Sequence, residues 1–522
     1  MKYRHMNNSD FAYILYQKDF SEKGNDQYFI YEDSAFSEIT SSQIFGFEKY
    51  LVTHDYWLIA GSIFDAEGRL PEKVIDITML SRILIGQKAS DGEKQAWDIS
   101  STIKPLYHDG KDFDEYMAMY YRREPVRIDT YMQFAHKLAE YTEGAIRKAT
   151  EIDEIDRFID LELVVFNSLT AICCKGIPID NNLLQQHKAN IKLDYYREIK
   201  KFAEKHNVHY EIPNDGDIRD KLNDLGYDTG DYSTDYLLEF LPSIDDYSKD
   251  LIKVQKVNKS YRIFNSISVS TTKIKPIAET HSTSTSRIYF KNPTIQNLAK
   301  KYRDIFVPIE GSVFSYVDYD QFEVGIMAAL SNDQKMKTIY EDSDAYIDLS
   351  NAVFKNELMR KHAKKLFLSY SYGMSLDNIK RSILELGGDA KEAHRYFSEF
   401  KIFENWKLTL YEKYKTDGRI STVCSNYLNR AGSGELSTKE QRSVVSHVVQ
   451  GTGSYIFKKV ILEVTKLPNL EILIPMHDAI LIQHAHDFDP TPIIEILSGT
   501  MTDILKGKVT GKASFENFSI TK

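Results

Sequence analysis

The 522-residue chain contains only three cysteines, Cys173, Cys174 and Cys424. Three cannot build a disulfide framework, and the adjacent Cys173-Cys174 pair sits in an apolar run, as core residues do. No Cys/His cluster has zinc-ligand spacing, which excludes a zinc module. No apolar run approaches the roughly 18 residues of a membrane span, and no secretory leader is visible. The expectation is a soluble, cytoplasmic chain with no membrane partner. Internal repeats and low-complexity tracts are also missing. Positive charge is in deficit: 66 Lys and Arg stand against 76 Asp and Glu, a net charge of −10. That total runs against a nucleic-acid binder, but contact with phosphate depends on where the cations lie. At about 100–200 residues per domain, the length suggests three or four domains with ample core.

Locally, cations do gather. Lys249, Lys253, Lys256 and Lys259 recur at helical spacing up to Arg262, with Leu251, Val254 and Val257 among them. This predicts a helix with a basic face suited to a phosphate backbone, whose binding would weaken steeply with salt. Lys300-Lys301-Tyr302-Arg303 is a second basic stretch. A solvated helix face would have the same composition, so both readings stand.

Two acids sit where strands end. Asp318 follows Val313–Val317, a short β-branched and aromatic run bounded by Gly311, the pattern of a buried strand. Asp478 lies between two apolar runs within Glu471–Gln483, as in a hairpin with its acid near the turn. Two such strands can bring both acids to one edge of a sheet. Mg²⁺ prefers octahedral oxygen coordination with one or two protein carboxylates, and paired catalytic ions lie roughly 3.5–4 Å apart. An acid at a strand end is also an ordinary solvated turn residue.

Between these acids lies a cationic helix pattern. Arg360, Lys364, Leu368 and Tyr372 are four residues apart, so on a helix they share one face with a drift of roughly 40° per step. Two cations near a helix start, beside free backbone N–H groups, suit a triphosphate. Leu368 and Tyr372 can pack on a sugar and base, and Gly373 permits close approach. An amphipathic surface helix is the plain alternative.

Taken in order, Asp318-Tyr319-Asp320-Gln321-Phe322-Glu323, then Arg360, Lys364, Tyr372-Gly373, then His477-Asp478, resemble the motifs of family A DNA polymerases. Arg287, Pro293, Gln296 and Asn297 upstream, and Arg442 and Gln450-Gly451-Thr452 downstream, extend the match over roughly residues 280–485. The resemblance implies an α/β multidomain chain with a right-hand polymerase fold, its palm an antiparallel sheet, preceded by an N-terminal RNase H-like exonuclease-type domain. It implies a DNA-directed DNA polymerase acting by two-metal nucleotidyl transfer on primer–template DNA and dNTPs. The cofactor would be two Mg²⁺ ions, with Mn²⁺ able to substitute. Asp318 and Asp478 would be the metal ligands, and Lys364 the general acid for pyrophosphate. Arg360 and Lys364 would bind the triphosphate, and Glu323 with Tyr372 would close the space of a 2′-hydroxyl. Gln321 and Leu368 would complete the nucleotide site. Arg287, Gln296, Asn297, Arg442, Gln450 and His477 would meet primer–template, with Lys253 and Lys256 on its backbone. The implied division is an exonuclease-like domain over 1–140, the start of the palm and a helical thumb over 141–276, palm over 277–340, fingers over 341–440, and palm again over 441–522.

Three positions depart from the family pattern. Leu368 stands where an aromatic is usual, Ser369 where Gly is usual, and Ala479 where a second acid often follows His-Asp. None is a metal ligand, so they bear on nucleotide selection.

The N-terminal domain departs further. A proofreading exonuclease of this type needs Asp-x-Glu on its first strand and two further Asp for two metals. The strand predicted at Phe11–Tyr16 carries no acid, and others are predicted at Gln27–Tyr31 and Lys49–Val52. Val74–Arg82 resembles the run after the second exonuclease motif, but His54-Asp55 is followed by Ile59 in the place of an acid, and only Asp129 remains near the third. The domain is therefore expected to be structural. A competing assignment takes Asp65-Ala66-Glu67 as the first-strand pair and His108-Asp109 through Asp114 as the second motif. The short predicted thumb, with no room for a large insertion over residues 259–285, suggests phage or plasmid DNA replication, with helicase, primase or other replisome proteins as partners. Alternatives are a repair, lesion-bypass or RNA-templated polymerase, or a non-catalytic primer–template-binding accessory protein.

Overall fold

The computed structural model describes residues 3, 6–21, 25–85, 98–122, 124–240 and 245–520. They form two compact units. Unit 1 comprises Met1–Ile177, Lys273–Asn292 and Ser421–Asn429, and unit 2 the remainder.

Unit 1 is built on a mixed five-stranded sheet. Phe11–Gln17 is central, pairing antiparallel with Gln27–Glu32 and parallel with Tyr50–Thr53. Ala35–Ile39 and Val74–Asp76 form the two edges. All seven residues of the central strand are buried, as a strand covered on both faces must be. Asp33 and Ser34 both hold positive φ, 47° and 66°, which gives the hairpin after Gln27–Glu32 the turn geometry that matches strand twist. The strand expectations hold to within a residue at each end.

The Ile128–Glu151 helix buries Tyr131, Phe134, Ala135, Leu138, Thr142, Ala145, Ile146 and Ala149. That helical period is unbroken, so residue 140 falls inside one continuous core-facing helix, and the compact unit runs on to Ile177. A buried Arg157 closes the unit: it donates to Glu154 at 2.6 Å and Glu162 at 2.5 Å, and Glu154 accepts the Asn426 backbone N–H at 2.6 Å.

The first strand carries no acid of its own and ends among rings. The Tyr16 hydroxyl donates to the His54 carbonyl at 3.0 Å and meets the Tyr120 hydroxyl at 3.2 Å. His54 Nε2 meets the Tyr116 hydroxyl at 2.6 Å, and Tyr116 stacks on Phe134 with centroids 3.7 Å apart. Asp129 is exposed in the first turn of its helix. The competing exonuclease assignment is excluded: Asp65 and Glu67 lie on the Trp57–Glu67 helix, not on a strand.

Unit 2 begins with two long helices, Asn181–His206 and Asp246–Asn265, that pack on each other. Asp180 caps the first, accepting the N–H groups of Asn182 and Leu183 at 2.8 and 3.0 Å. Their connecting segment forms two short helices, Asp215–Asp224 and Thr234–Phe240. The centre of the unit is a four-stranded antiparallel sheet in the order Leu470–Pro475, Ala479–Ala485, Ser312–Tyr319, Ala513–Phe515. The Phe322–Ser331 and Thr438–Val464 helices pack together beside it, the latter started by a capping box of Ser437 and Glu440. A group of helices that includes Ala345–Phe354, Arg360–Ser371 and Leu376–Glu385 completes the unit. Among the described residues no helix is long and apolar enough to cross a membrane.

Candidate functional site

Asp318 is the penultimate residue of its strand and pairs across the sheet with Ala479 on one side and Ser514 on the other. Asp478 occupies the turn of the neighbouring hairpin, which the Met476 N–H closes on the Ala479 carbonyl at 2.7 Å. The Tyr319 N–H donates to the Asp478 carbonyl at 3.2 Å, so the two acids meet at one end of the sheet, as their strand patterns predict. Asp318 Oδ1 is shut away from solvent without a hydrogen-bond partner. Burial, then Asp478, Glu516 and Asp320, push the Asp318 carboxyl up to about 8, with Lys364 pulling the other way.

A buried, unpartnered carboxylate oxygen crowded by like charge is stabilised by a cation. Among the described residues no group of three or more His, Cys, Asp or Glu forms a metal cage. The neighbouring aspartates Asp318 and Asp478 could hold a divalent cation whose remaining shell is water and substrate oxygens.

Opposite the acids stands the Arg360–Ser371 helix. Arg360 is its first residue and donates to Asp344 Oδ2 through Nε and Nη2, at 3.1 and 2.6 Å. Asp344 also caps the Ala345–Phe354 helix, accepting the Tyr346 and Ile347 N–H groups at 2.9 Å each. Lys364 is exposed one turn on. Tyr346 joins these groups and was not singled out from sequence. The Arg360 guanidinium and Lys364 Nζ lie 5.4 and 5.5 Å from its ring centre. Burial, then Glu323 and Asp344, push its phenol above the ordinary value, with Arg360 opposing. Tyr346 therefore feels both the cations and Glu323, in an Asp-Ala-Tyr-Ile stretch that carries no motif signal.

Glu323 is half-buried in the first turn of the Phe322–Ser331 helix, Leu368 is half-buried, and Tyr372 is buried at the end of the cationic helix. Gly373 follows with φ 83°, a left-handed conformation that favours glycine. Gln321 is spent on the backbone: its Oε1 accepts the Ala345 N–H at 2.8 Å and its Nε2 reaches the Ser343 carbonyl at 3.4 Å.

The expected DNA contacts divide. Asn297 is exposed, while His477, Gln450 and Arg442 are half-buried. Gln296 is buried and donates to the Pro475 carbonyl at 2.5 Å, so it braces the hairpin that carries Asp478. Arg287 belongs to unit 1. Lys253 and Lys256 are exposed on the predicted helix, though Lys253 reaches Glu198 at 2.7 Å. The Lys300–Arg303 stretch is a folded turn rather than a basic stripe. Lys300 pairs with Glu516 at 3.3 Å, Lys301 lies 4.5 Å from the Tyr302 ring centre, and Arg303 donates to the Leu298 carbonyl at 3.0 Å.

Residues 185–514 match the model of DNA polymerase family A. A thermostable DNA polymerase I of Thermus filiformis is 28% identical over 232 residues, 40% of this chain and 27% of that protein. DNA polymerase theta of Caenorhabditis elegans is 28% identical over 218 residues, 38% of this chain and 13% of that protein. DNA polymerase I of Borreliella burgdorferi is 25% identical over 290 residues, 48% of this chain and 31% of that protein. The chain thus spans less than a third of the length of these curated relatives. The POL domain of Pol1 from M. smegmatis, solved with DNA primer–template and dNTP, superposes with a TM-score of 0.70 at 17% identity, covering 97% of this chain and 95% of that one. The two share their fold.

Proposed function

The chain belongs to DNA polymerase family A, and on that premise we propose that it extends a primer 3′-hydroxyl with dNTPs under the direction of a DNA template. The observation that carries this reading is the meeting of Asp318 and Asp478 with Lys364, Arg360 and Tyr346 across one site. The solved relative with primer–template and dNTP supports it.

Asp318 and Asp478 would hold two Mg²⁺ ions, or Mn²⁺ in their place, which lower the charge on the attacking and leaving oxygens. Lys364 holds a proton at Nζ for the departing pyrophosphate. Arg360 turns from Asp344 to the triphosphate, offering a planar fork of donors. Glu323 and Tyr372 close the space that a 2′-hydroxyl needs, and Leu368 lies along the sugar. Asn297, Gln450, His477 and Arg442 border the primer–template, with Lys253 and Lys256 on its backbone. In this reading the Asn181–His206 and Asp246–Asn265 helices are the thumb, the four-stranded sheet is the palm, and the helices around Arg360–Ser371 are the fingers.

Unit 1 supports synthesis without proofreading, because its first strand ends in the Tyr16, Tyr116 and Tyr120 cluster instead of metal ligands. The short thumb suits phage or plasmid replication. Primer extension by the purified chain tests the reading. Asp318→Ala and Asp478→Ala should each lower the rate by on the order of a thousandfold or more while primer–template binding persists. A 3′-mismatched primer should keep its length in Mg²⁺ or Mn²⁺. Extension near the unmutated rate in either variant overturns the site, and shortening of the primer overturns the loss of proofreading.

A further inference from the structure

The segment joining the two thumb helices has the wrong charge for a surface that grips DNA. From Glu211 to Asp235 it carries eight carboxylates against two cations, Arg219 and Lys221. Phosphate is repelled by such a surface.

The segment lies instead against the fingers. The Asp228 N–H donates to Asn378 Oδ1 at 3.1 Å, and Asn378 Nδ2 donates back to the Asp228 carbonyl at 2.7 Å. Arg381, on the same Leu376–Glu385 helix, donates to the Leu225 and Gly226 carbonyls, with its guanidinium 4.3 Å from the Tyr227 ring centre. The Tyr227 hydroxyl reaches Glu385 at 3.3 Å. Gly226 holds φ 80°, and a Cβ there would meet Arg381 Nη1 at 2.7 Å, so a larger residue would push the arginine out.

Past this clasp, Tyr232 enters the site. Its ring is buried, its hydroxyl accepts the Ser375 N–H at 2.7 Å, and the Gly373 carbonyl lies 3.4 Å away. The Arg442 guanidinium lies 3.9 Å from the ring centre. Tyr236 stacks on Tyr232, centroids 5.7 Å apart and planes 5° apart. The polymerase reading gives Arg442 to the primer–template, Gly373 follows the helix that faces the nucleotide, and Tyr232 reaches both. A flat ring over a guanidinium, backed by a second ring, reproduces the stacking chemistry of a nucleobase. The carboxylates around it reproduce the sign of a phosphate backbone.

We propose that residues 211–235 form an autoinhibitory plug that takes the template strand's seat in the DNA-free protein, with Tyr232 in place of a template base. Primer–template must displace it. The identity of the displacing ligand rests on the polymerase reading. The clasp residues Asn378 and Arg381 hold the plug, Arg381 also pairing with Glu385 at 2.9 Å, and neither is placed on primer–template or dNTP, so they set how often the seat is open without taking part in synthesis. Apparent affinity for DNA then falls by the fraction of molecules whose seat is open.

Amide hydrogen exchange of the unmutated, full chain with and without primer–template tests this directly. Displacement predicts faster exchange at Asp228 and across residues 225–236 once DNA is bound. Slower or unchanged exchange there overturns the plug. In parallel, Arg381→Ala and Asn378→Ala should each tighten binding of a labelled primer–template, by about threefold to thirtyfold, with the extension rate at saturating DNA unchanged. Weaker or equal binding in both variants also overturns it. If the unmutated chain neither binds nor extends a primer, the polymerase reading fails; if it extends while exchange at 225–236 slows, only the plug fails.

Discussion

Each unit contains a pair of neighbouring aspartates, and Asp318 differs from Asp76 and Asp55 in how its oxygens are satisfied. In unit 1, Asp76 accepts the Tyr56 and Thr78 N–H groups at 2.8 Å each. Asp55 Oδ2 meets His54 Nδ1 at 3.2 Å and the Tyr120 hydroxyl at 3.3 Å. Burial and then Asp55 raise the Asp76 carboxyl, with those two N–H bonds opposing. Burial pushes Asp55 up as well, but hydrogen bonds from His54 and Tyr120 outweigh it and hold Asp55 below its ordinary value. In unit 2, Asp318 has a buried oxygen with no partner and three acidic neighbours. An acid whose hydrogen bonds are satisfied fastens backbone; one left unsatisfied beside like charge has an unmet demand for a cation. Adjacency of carboxylates alone does not separate a working site from a structural one. Their satisfaction does.

The strongest way to break this comparison is to exchange the expected losses. Asp318→Asn should reduce primer extension by on the order of a thousandfold. Asp76→Asn should leave the extension rate of the folded protein within about twofold, because unit 1 does no chemistry in this reading. A comparable rate loss in both variants would erase the distinction.

Stability sharpens it next. Asp76→Ala strands two N–H groups beside Val74–Asp76 and should cost about 2–4 kcal/mol, read from the denaturant midpoint. Asp318→Asn should act in the reverse sense in EDTA. The Asp318 carboxyl holds its proton more tightly folded than unfolded, so its contribution to stability is full below about pH 4 and is lost as pH rises through about 8. The variant should therefore melt above the unmutated protein at pH 8, by on the order of 1–2 kcal/mol after allowing for solvent screening, with the gap closing by pH 5. A gap that widens toward acid would refute the crowding argument. Mg²⁺ added at pH 7 should release protons from the unmutated protein and fewer from the variant, as calorimetry in buffers of different ionisation heat would record.

The smallest expected effect concerns Leu368. Leu368→Phe places a flat ring along the sugar, and stacking of about 0.5–1.5 kcal/mol should lower misincorporation roughly two- to tenfold. Unchanged misincorporation would make Leu368 a neutral replacement.

Local pattern explains which parts were legible in the sequence. The Asp318 strand, the Asp478 hairpin, the Arg360 helix and the basic Asp246–Asn265 helix each follow from hydrophobic period and short-range caps. Ala35–Ile39 and Ala513–Phe515 escaped notice because a largely exposed edge strand and a three-residue strand show little alternation. Tyr346 escaped because its neighbours Arg360 and Lys364 arrive only when two helices pack. Gln296 and Gln321 show the reverse case: a motif position names a residue but not its backbone partners, the Pro475 carbonyl for one and the Ala345 N–H for the other. The acidic charge of residues 211–235 drew no reading from sequence, and only the contacts of Tyr232 give it a meaning.

Gln321, three positions after Asp318, is bonded to Ala345 and Ser343, where the helix bearing Tyr346 begins. That helix packs on the one bearing Lys364. Mechanically, this is a strut beside the acid: two contacts of one amide hold the start of that helix to the turn after Asp318. Lys364 is also the cation that opposes the rise in the Asp318 carboxyl. The Gln321 amide thus ties the turn that follows the acid to the helix pair that carries the cation opposing it.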